Sequence, residues 1–319
     1  MRPTSLTILS LLLLTFAFAA YAQDDEAEIV NFEIFNNEEG LIYAESAYDL
    51  DETTERLTTA LEENENIRLL GVVNHTENAE SVDLDLPPIR LILFGNPNLG
   101  TPLMQAERTV ALDLPQKLLV WEDEGTVFVG YNSPFYLAAR HGIDLETEAL
   151  ATIDNALANL AASVTDGDAM NYTAMTQPDE MPVTEMQDKG FVVVESANDF
   201  ETTVTQFTDA LEANDFIVPF TVDHSANAES VDLELLPTTL VIFGNPSAGT
   251  PLMQLESTLA IDLPQKMLVW ENAEGVVSMA YNDPLYLMKR HGIDDVPEAV
   301  GNISDALAML AEAATTATE

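Results

Sequence analysis

The sequence predicts an α+β protein of two duplicated domains, each a small, mostly antiparallel sheet covered by helices. Two observations lead to this fold class: a long internal repeat, and an alternation of strand and helix signals within each copy. Leu91–Trp121 and Leu240–Trp270, aligned at a shift of 149 residues, are identical at 22 of 31 positions. A period of this length has the size of a domain and is too long for a solenoid repeat.

The elements of the second copy can be taken in chain order. "GFVVVES" (Gly190–Ser196) is typical of a short buried strand, and Asp199 is placed to cap a helix whose apolar residues recur at spacings of four, three and four. "FIVPFTVDH" predicts an edge or bulged strand because it contains a proline. "TTLVIFGNP" predicts a strand that ends in a turn, and "QKMLVWENAEGVVSMAYN" predicts a hairpin. "DPLYLMKRHGI" predicts a short helix ended by Gly292, and an Ala-rich amphipathic helix closes each copy.

The amino terminus has the pattern of a secretory signal peptide. One basic residue precedes an apolar run that is too short to span a bilayer comfortably, and Ala20-Tyr21-Ala22 supplies the small residues that a signal peptidase reads. We therefore expect a signal peptide at 1–22, a first repeat domain at 23–164, a polar linker at 165–188 and a second repeat domain at 189–319. This organisation predicts a periplasmic or secreted protein.

The charge of the chain excludes several partners. Fifty-five acidic and eleven basic residues give a formal net charge of −44, while 47% of the residues are hydrophobic. Such a surface repels phosphate backbones and anionic lipid heads, so we expect no nucleic-acid partner and no membrane contact beyond the cleaved signal peptide. An acidic surface over an apolar core favours adaptation to salty surroundings, with plain solubility in a dilute medium as the alternative.

The string "FGNPNLGTPLM" (Phe94–Met104) returns as "FGNPSAGTPLM" (Phe243–Met253) and falls where a strand gives way to a short helix. Asn96-Pro97 favours a turn, and Thr101-Pro102 predicts a helix start with the threonine as N-cap. Free N–H groups at such a start can hold an anion, although no nucleotide-binding loop is present. A well-capped turn with a structural role is the alternative interpretation.

The repeated motifs "FGNPxxGTPLMQ", "DLPQKxLVWE", "YNxPxYL" and "RHGI" together resemble the bacterial and archaeal family called domain of unknown function 302. Each copy resembles one such domain. The resemblance implies a compact α/β fold that tends to form dimers, so the two copies are expected to pair within the chain, or the chain to form a homo-oligomer. It implies no agreed activity.

The four histidines occupy matched positions in the two copies. His141 and His291 precede a helix-ending glycine, where the helix dipole favours them. His75 and His224 follow a strand, with Glu80 and Glu229 five residues further on. If the two strands of one copy are parallel neighbours, their ends meet at one rim and form a polar pocket. The predicted ligand-binding residues are His75, Asn96, Thr101 and Met104, and in the second copy His224, Asn245, Thr250 and Met253.

A metal site is a further hypothesis, with His75, Glu80, His224 and Glu229 as candidate ligands for copper or zinc; ordinary structural roles are the alternative. The cofactor and any catalytic residues stay unknown. The sequence weakly favours a small-ligand or metal-binding envelope module. An unrecognised hydrolytic enzyme and a structural dimerisation module are the alternatives, and a serine or threonine within reach of His75 would favour the enzyme.

Overall fold

The computed structural model describes residues 40–165 and 189–317, together with the backbone of a two-residue strand at 35–36. The predicted signal peptide lies outside the described residues, and so does the predicted linker apart from Thr165. Both copies belong to the same compact unit.

The first copy has an antiparallel sheet in the order β1-β2-β6-β5-β4-β3, in which β1 is only two residues long. Its elements are β1 (Phe35–Asn36), β2 (Leu41–Glu45), α1 (Leu50–Glu62), β3 (Arg68–Asn74), α2 (His75–Glu80), β4 (Ile89–Gly95), α3 (Pro97–Ala106), a 3-10 helix (Arg108–Leu112), β5 (Gln116–Asp123), β6 (Thr126–Asn132), α4 (Pro134–His141) and α5 (Glu148–Ala162).

The second copy repeats this arrangement with the strand order β7-β11-β10-β9-β8. Its elements are β7 (Phe191–Glu195), α6 (Phe200–Ala213), β8 (Ile217–Asp223), α7 (His224–Glu229), β9 (Thr238–Gly244), α8 (Pro246–Met253), a 3-10 helix (Ser257–Ile261), β10 (Gln265–Glu271), β11 (Val277–Asn282), α9 (Pro284–Arg290) and α10 (Glu298–Thr315). Two similar units, each with helices and the same five antiparallel strands, to which the first copy adds the short β1, confirm the predicted fold class.

Local signals explain most of these boundaries. The Asp199 side chain accepts a hydrogen bond from the backbone N–H of Thr202 and so caps α6, as predicted. The ladder between β8 and β9 shifts register between Ile217 and Phe220, around the predicted proline irregularity. The prediction of a buried strand at "GFVVVES" is wrong in one respect: β7 is an edge strand, and Val193 is 48% exposed.

Each face of the second sheet buries a different set of side chains, because successive residues of a strand point to opposite faces. Val241, Phe243 and Val269 belong to a core with Phe207 and Leu211 of α6. The alternate residues Leu240, Ile242, Leu268 and Trp270 belong to a core that also contains the buried residues of the first copy. The second copy therefore covers one face of its sheet with its own helices and buries the other in a core shared with the first copy.

Candidate functional site at the boundary of the copies

The repeated string begins a helix five residues earlier than the sequence suggested. α3 starts at Pro97, and the Asn96 side chain caps it by accepting a hydrogen bond from the Asn98 N–H. Asn245 caps α8 in the same way. The prediction that Thr101 is an N-cap is therefore wrong, because Asn-Pro supplies the same cap and first-turn residues one turn earlier and Pro102 lies inside the helix.

The predicted pocket does not form within one copy. β3 and β4 are antiparallel, with Arg68 opposite Gly95 and Asn74 opposite Arg90. His75 and Asn96 therefore follow opposite ends of the same strand pair, roughly 20 Å apart at about 3.3 Å per residue. The assumption of parallel strands was the error, and His75 does not join Asn96.

A cavity brings the predicted residue types together across the boundary between the copies. It has a volume of about 270 Å³, and Asn96, Thr101 and Met104 of the first copy line it. The histidine in its wall is His224, which belongs to the second copy, as do Val222 and Asn227. Most of the remaining wall is apolar and includes Leu114, Ile153 and Leu157. The first copy thus supplies most of the residues that line the cavity, and the second copy supplies the histidine.

Two residues of this wall each keep a polar side-chain atom fully buried, out of contact with solvent: Nε2 of His224 and Oγ1 of Thr101. Both side chains are almost completely inaccessible to solvent. Burial lowers the pKa of His224 to about 4, and the Asp223 carboxylate and backbone hydrogen bonds with Ala111 and Leu114 offset only part of this effect. His224 is therefore neutral near pH 7.

The corresponding residues of the other half repeat the same pattern. α2, which carries His75, packs against α8, which carries Thr250 and Met253. Nε2 of His75 and Oγ1 of Thr250 are buried in the same way. Burial lowers the pKa of His75 to about 4. Each histidine is therefore directed to the other copy.

The metal hypothesis gains no support from the geometry. His75 and His224 are buried, whereas Glu80 and Glu229, five residues further along the same short helices, are exposed. Such a spacing places the two side chains on different sides of a helix. Across the part of the chain that the structure describes, no group of three or more His, Cys, Asp and Glu side chains is arranged to hold a metal ion.

A second cluster at the boundary, here called the reciprocal network, is built from the other repeated motifs. Its members in the first copy are Asp113, Lys117, Asn132, Tyr136, Arg140 and His141, and their counterparts are Asp262, Lys266, Asn282, Tyr286, Arg290 and His291.

In this network one arginine of each copy bonds to an asparagine of the other copy. Arg140 donates to Asp113 of its own copy at 2.8 Å and to Oδ1 of Asn282 in the second copy at 2.8 Å. Arg290 donates to Asp262 at 2.7 Å and to Asn132 of the first copy at 2.7 Å. Such bonds between buried charged and polar groups fix the register of one copy on the other.

Tyrosine and glycine residues complete the contact. The hydroxyl groups of Tyr136 and Tyr286 are 2.6 Å apart. The Gly190 carbonyl accepts a bond of 3.0 Å from Arg140. Gly190 has φ +64°, and a Cβ there would lie 2.1 Å from the ring of Tyr286, so only glycine fits.

The buried charges of the network shift one another's pKa. Burial alone disfavours a charged Asp113, but Arg140, the hydrogen bond from His141 and Lys117 together hold its pKa well below the usual range. Asp262 is held in the same way by Arg290, His291 and Lys266. Burial, together with repulsion from Lys117, lowers the pKa of Lys266 to about 7.

Thr109, His141 and Asp113 form a hydrogen-bonded chain of the kind used in nucleophilic catalysis, with distances of 3.0 Å and 2.8 Å. The same Asp113 oxygen also accepts the bond from Arg140, which in turn bonds to Asn282 of the second copy. The chain is thus part of the contact between the copies, and Thr109 does not line the cavity described above. The sequence analysis placed His141 at a helix end but missed its partners, although all of them recur in the second copy at the same spacing.

Both copies match the family described as Domain of unknown function DUF302, over residues 42–160 and 192–314. These segments cover more than half of the chain, and the chain belongs to this family. The fold and the site at the boundary of the copies thus define a duplicated α+β protein. Its family is domain of unknown function 302, which the repeated motifs indicated.

Curated relatives match over a limited segment. Fluoride-specific ion channel FluC 1 of Brucella suis biovar 1 is 42% identical over 110 residues, which are 34% of this chain and 43% of that protein. Fluoride-specific ion channel FluC 2 of Brucella melitensis biotype 1 is 42% identical over 110 residues, 34% of this chain and 40% of that protein. The chain spans less than half the length of these relatives.

Among solved structures, an uncharacterized conserved protein DUF302 from Bacillus stearothermophilus is similar, with a TM-score of 0.37 and 16% sequence identity. The similarity covers 39% of this chain and 98% of that chain. In the residues that the structure describes, no helix has the length and apolar character needed to cross a membrane.

Proposed function

We propose that this protein binds a small, mainly apolar molecule in the cavity between its two copies. The observation that carries the proposal is a cavity of about 270 Å³ that both copies line, with a mostly apolar wall and a few polar residues, among them Asn96 and Arg68. Ligand sites are commonly cavities of about 300 Å³ or more, mostly apolar, with a few polar groups that orient the ligand.

Binding is favoured over hydrolysis for a specific reason. A threonine nucleophile needs a histidine within hydrogen-bond distance, and Thr101 Oγ1 has no hydrogen-bond partner in the structure. The channel activity in the names of the Brucella relatives is not part of the proposal, because the matching segment is less than half of each relative.

A fluorescent probe tests the proposal. N-phenyl-1-naphthylamine is a small apolar molecule whose emission rises in an apolar site, and we expect saturable binding of one molecule per chain. Gly100 lines the cavity, and a Cβ there would lie 3.5 Å from Leu114, so a larger side chain at this position enters the cavity. Gly100→Leu should therefore abolish binding.

The matched control is Gly249→Leu, at the equivalent position of α8, where a Cβ would lie 3.6 Å from Leu263. It makes the same chemical change in the other copy and should leave probe binding intact. Absence of saturable binding to the unmodified protein, or equal loss in both variants, would refute the proposal for this cavity.

We also propose that the protein acts in the periplasm or outside the cell, in salty surroundings. The support is the amino-terminal pattern and the net charge of −44. The abundant form in the native host should begin at Gln23, and amino-terminal sequencing that finds Met1 on that form would contradict the proposal.

A further inference from the structure

Arg68 lies at the edge of the cavity and carries a positive charge. It is the first residue of β3, opposite Gly95, and it is exposed to solvent while lining the cavity. Its guanidinium group donates to Oδ1 of Asn227 at 2.9 Å and to Oγ of Ser230 at 2.7 Å, both on the second copy. These two neutral acceptors position the guanidinium group but do not neutralise its positive charge.

Among the residues that the structure describes, Arg68 has no ion pair within 4 Å, and neither does Arg108, whereas Arg56 and Arg90 both pair with a carboxylate. A guanidinium group with free donor capacity beside an apolar cavity is suited to a carboxylate at the end of an apolar body.

The other half of the molecule does not offer the same group. Ile217 is the first residue of β8 and lies opposite Gly244, which is the register position of Arg68 opposite Gly95. The positive charge is therefore present at this position of the first copy and absent from the equivalent position of the second. Whatever Arg68 recognises is specific to the cavity lined by Asn96 and His224.

We propose that the ligand of this cavity is an organic anion, a carboxylate with a small apolar body, whose head group binds Arg68. This inference rests on the proposed function. The apolar body occupies the cavity beside Met104 and Leu157, and the carboxylate remains at the rim, where it keeps part of its hydration.

The experiment compares octanoate with 1-octanol as competitors of bound N-phenyl-1-naphthylamine. The two competitors share their apolar chain and differ in the charge of the head group. At about 0.15 M salt, charges more than about 8 Å away are largely screened, so the comparison reports the local contact. We expect octanoate to displace the probe at a concentration about tenfold lower than octanol.

Arg68→Met should remove this preference, so that octanoate and octanol displace the probe at similar concentrations. Arg56→Met, which removes an exposed arginine from a helix ion pair, is the control for net charge and should retain the preference. If the probe binds but octanoate is no better than octanol, or if both variants behave alike, the anion inference is wrong and the proposed function survives. If the probe does not bind the unmodified protein at all, the proposed function itself fails.

Discussion

The reciprocal network and the cavity lie at the same boundary, yet the two copies contribute to them differently. In the network, each side chain of one copy has its counterpart in the other: Arg140 and Arg290 make the same pair of contacts in opposite directions. At the rim of the cavity the copies diverge, because Arg68 in the first copy corresponds to Ile217 in the second.

The difference has a physical reason. A buried charge that loses its partner destabilises the fold by several kcal/mol, so both halves of the network must be satisfied together. A solvent-exposed residue at the rim of the cavity does not need a buried partner for its charge. It can therefore differ between the copies while the copies stay paired. The reciprocal network, which is the same in both copies, therefore holds the copies together. The rim of the cavity differs between the copies, and we expect a ligand to bind there.

The largest expected effect is the loss of an arginine from the network. Arg140→Met leaves Asp113 without its main cationic partner and Asn282 without a donor, and it should lower the free energy of unfolding by about 3–5 kcal/mol. Arg290→Met should cost a similar amount because it makes the reciprocal contacts. Urea denaturation of each variant measures both values.

Arg56→Met is the control, because the ion pair of Arg56 with Glu52 is exposed and should contribute little to stability. A cost at Arg140 no larger than at Arg56 would contradict the structural role of the network. A large cost at Arg140 with almost none at Arg290 would contradict its reciprocity.

Acid should destabilise the protein through the boundary histidines. His75 and His224 have a pKa of about 4 when folded, against 6.5 ordinarily, so the unfolded chain binds more protons between these two values. The stability that depends on these two histidines is therefore fully present above pH 6.5, falls as the pH decreases to about 4, and decreases by on the order of 3 kcal/mol per histidine.

The double variant His75→Gln, His224→Gln should show a shallower decline over this interval in urea denaturation at several pH values. Some decline should remain, because burial also lowers the pKa of His141 and His291. Below about pH 3.8 a further loss should begin as Asp113 and Asp262 start to take up protons in the unfolded chain. An unchanged slope in the double variant would contradict the burial of these two imidazoles.

Much of the fold was predictable because its signals are local. The Asp199 cap, the irregular strand around Pro219 and the helix end at Gly292 each depend on a few adjacent residues. The start of α3 was misplaced because Asn96-Pro97 and Thr101-Pro102 are both plausible helix starts, and only the packed structure selects the first.

The site was predictable only in part. Asn96, Thr101 and Met104 lie within nine residues, so one helix with its N-cap brings all three to the same wall of the cavity. Their histidine could not be assigned, because His75 and His224 occur in similar sequence surroundings and the choice depends on strand direction and on how the copies pair. Arg68 carries no motif, and its position at the rim emerges only from the β3–β4 register.

The central claim, that the second copy completes the cavity of the first, is tested most directly by titrating N-phenyl-1-naphthylamine into His224→Phe and His75→Phe. His224 lines the cavity, whereas His75 follows the far end of the strand pair from Asn96. The account predicts that His224→Phe abolishes saturable probe binding and that His75→Phe, with its fold verified by circular dichroism, retains it. Loss of binding in His75→Phe with binding intact in His224→Phe would contradict the account and restore a site within one copy.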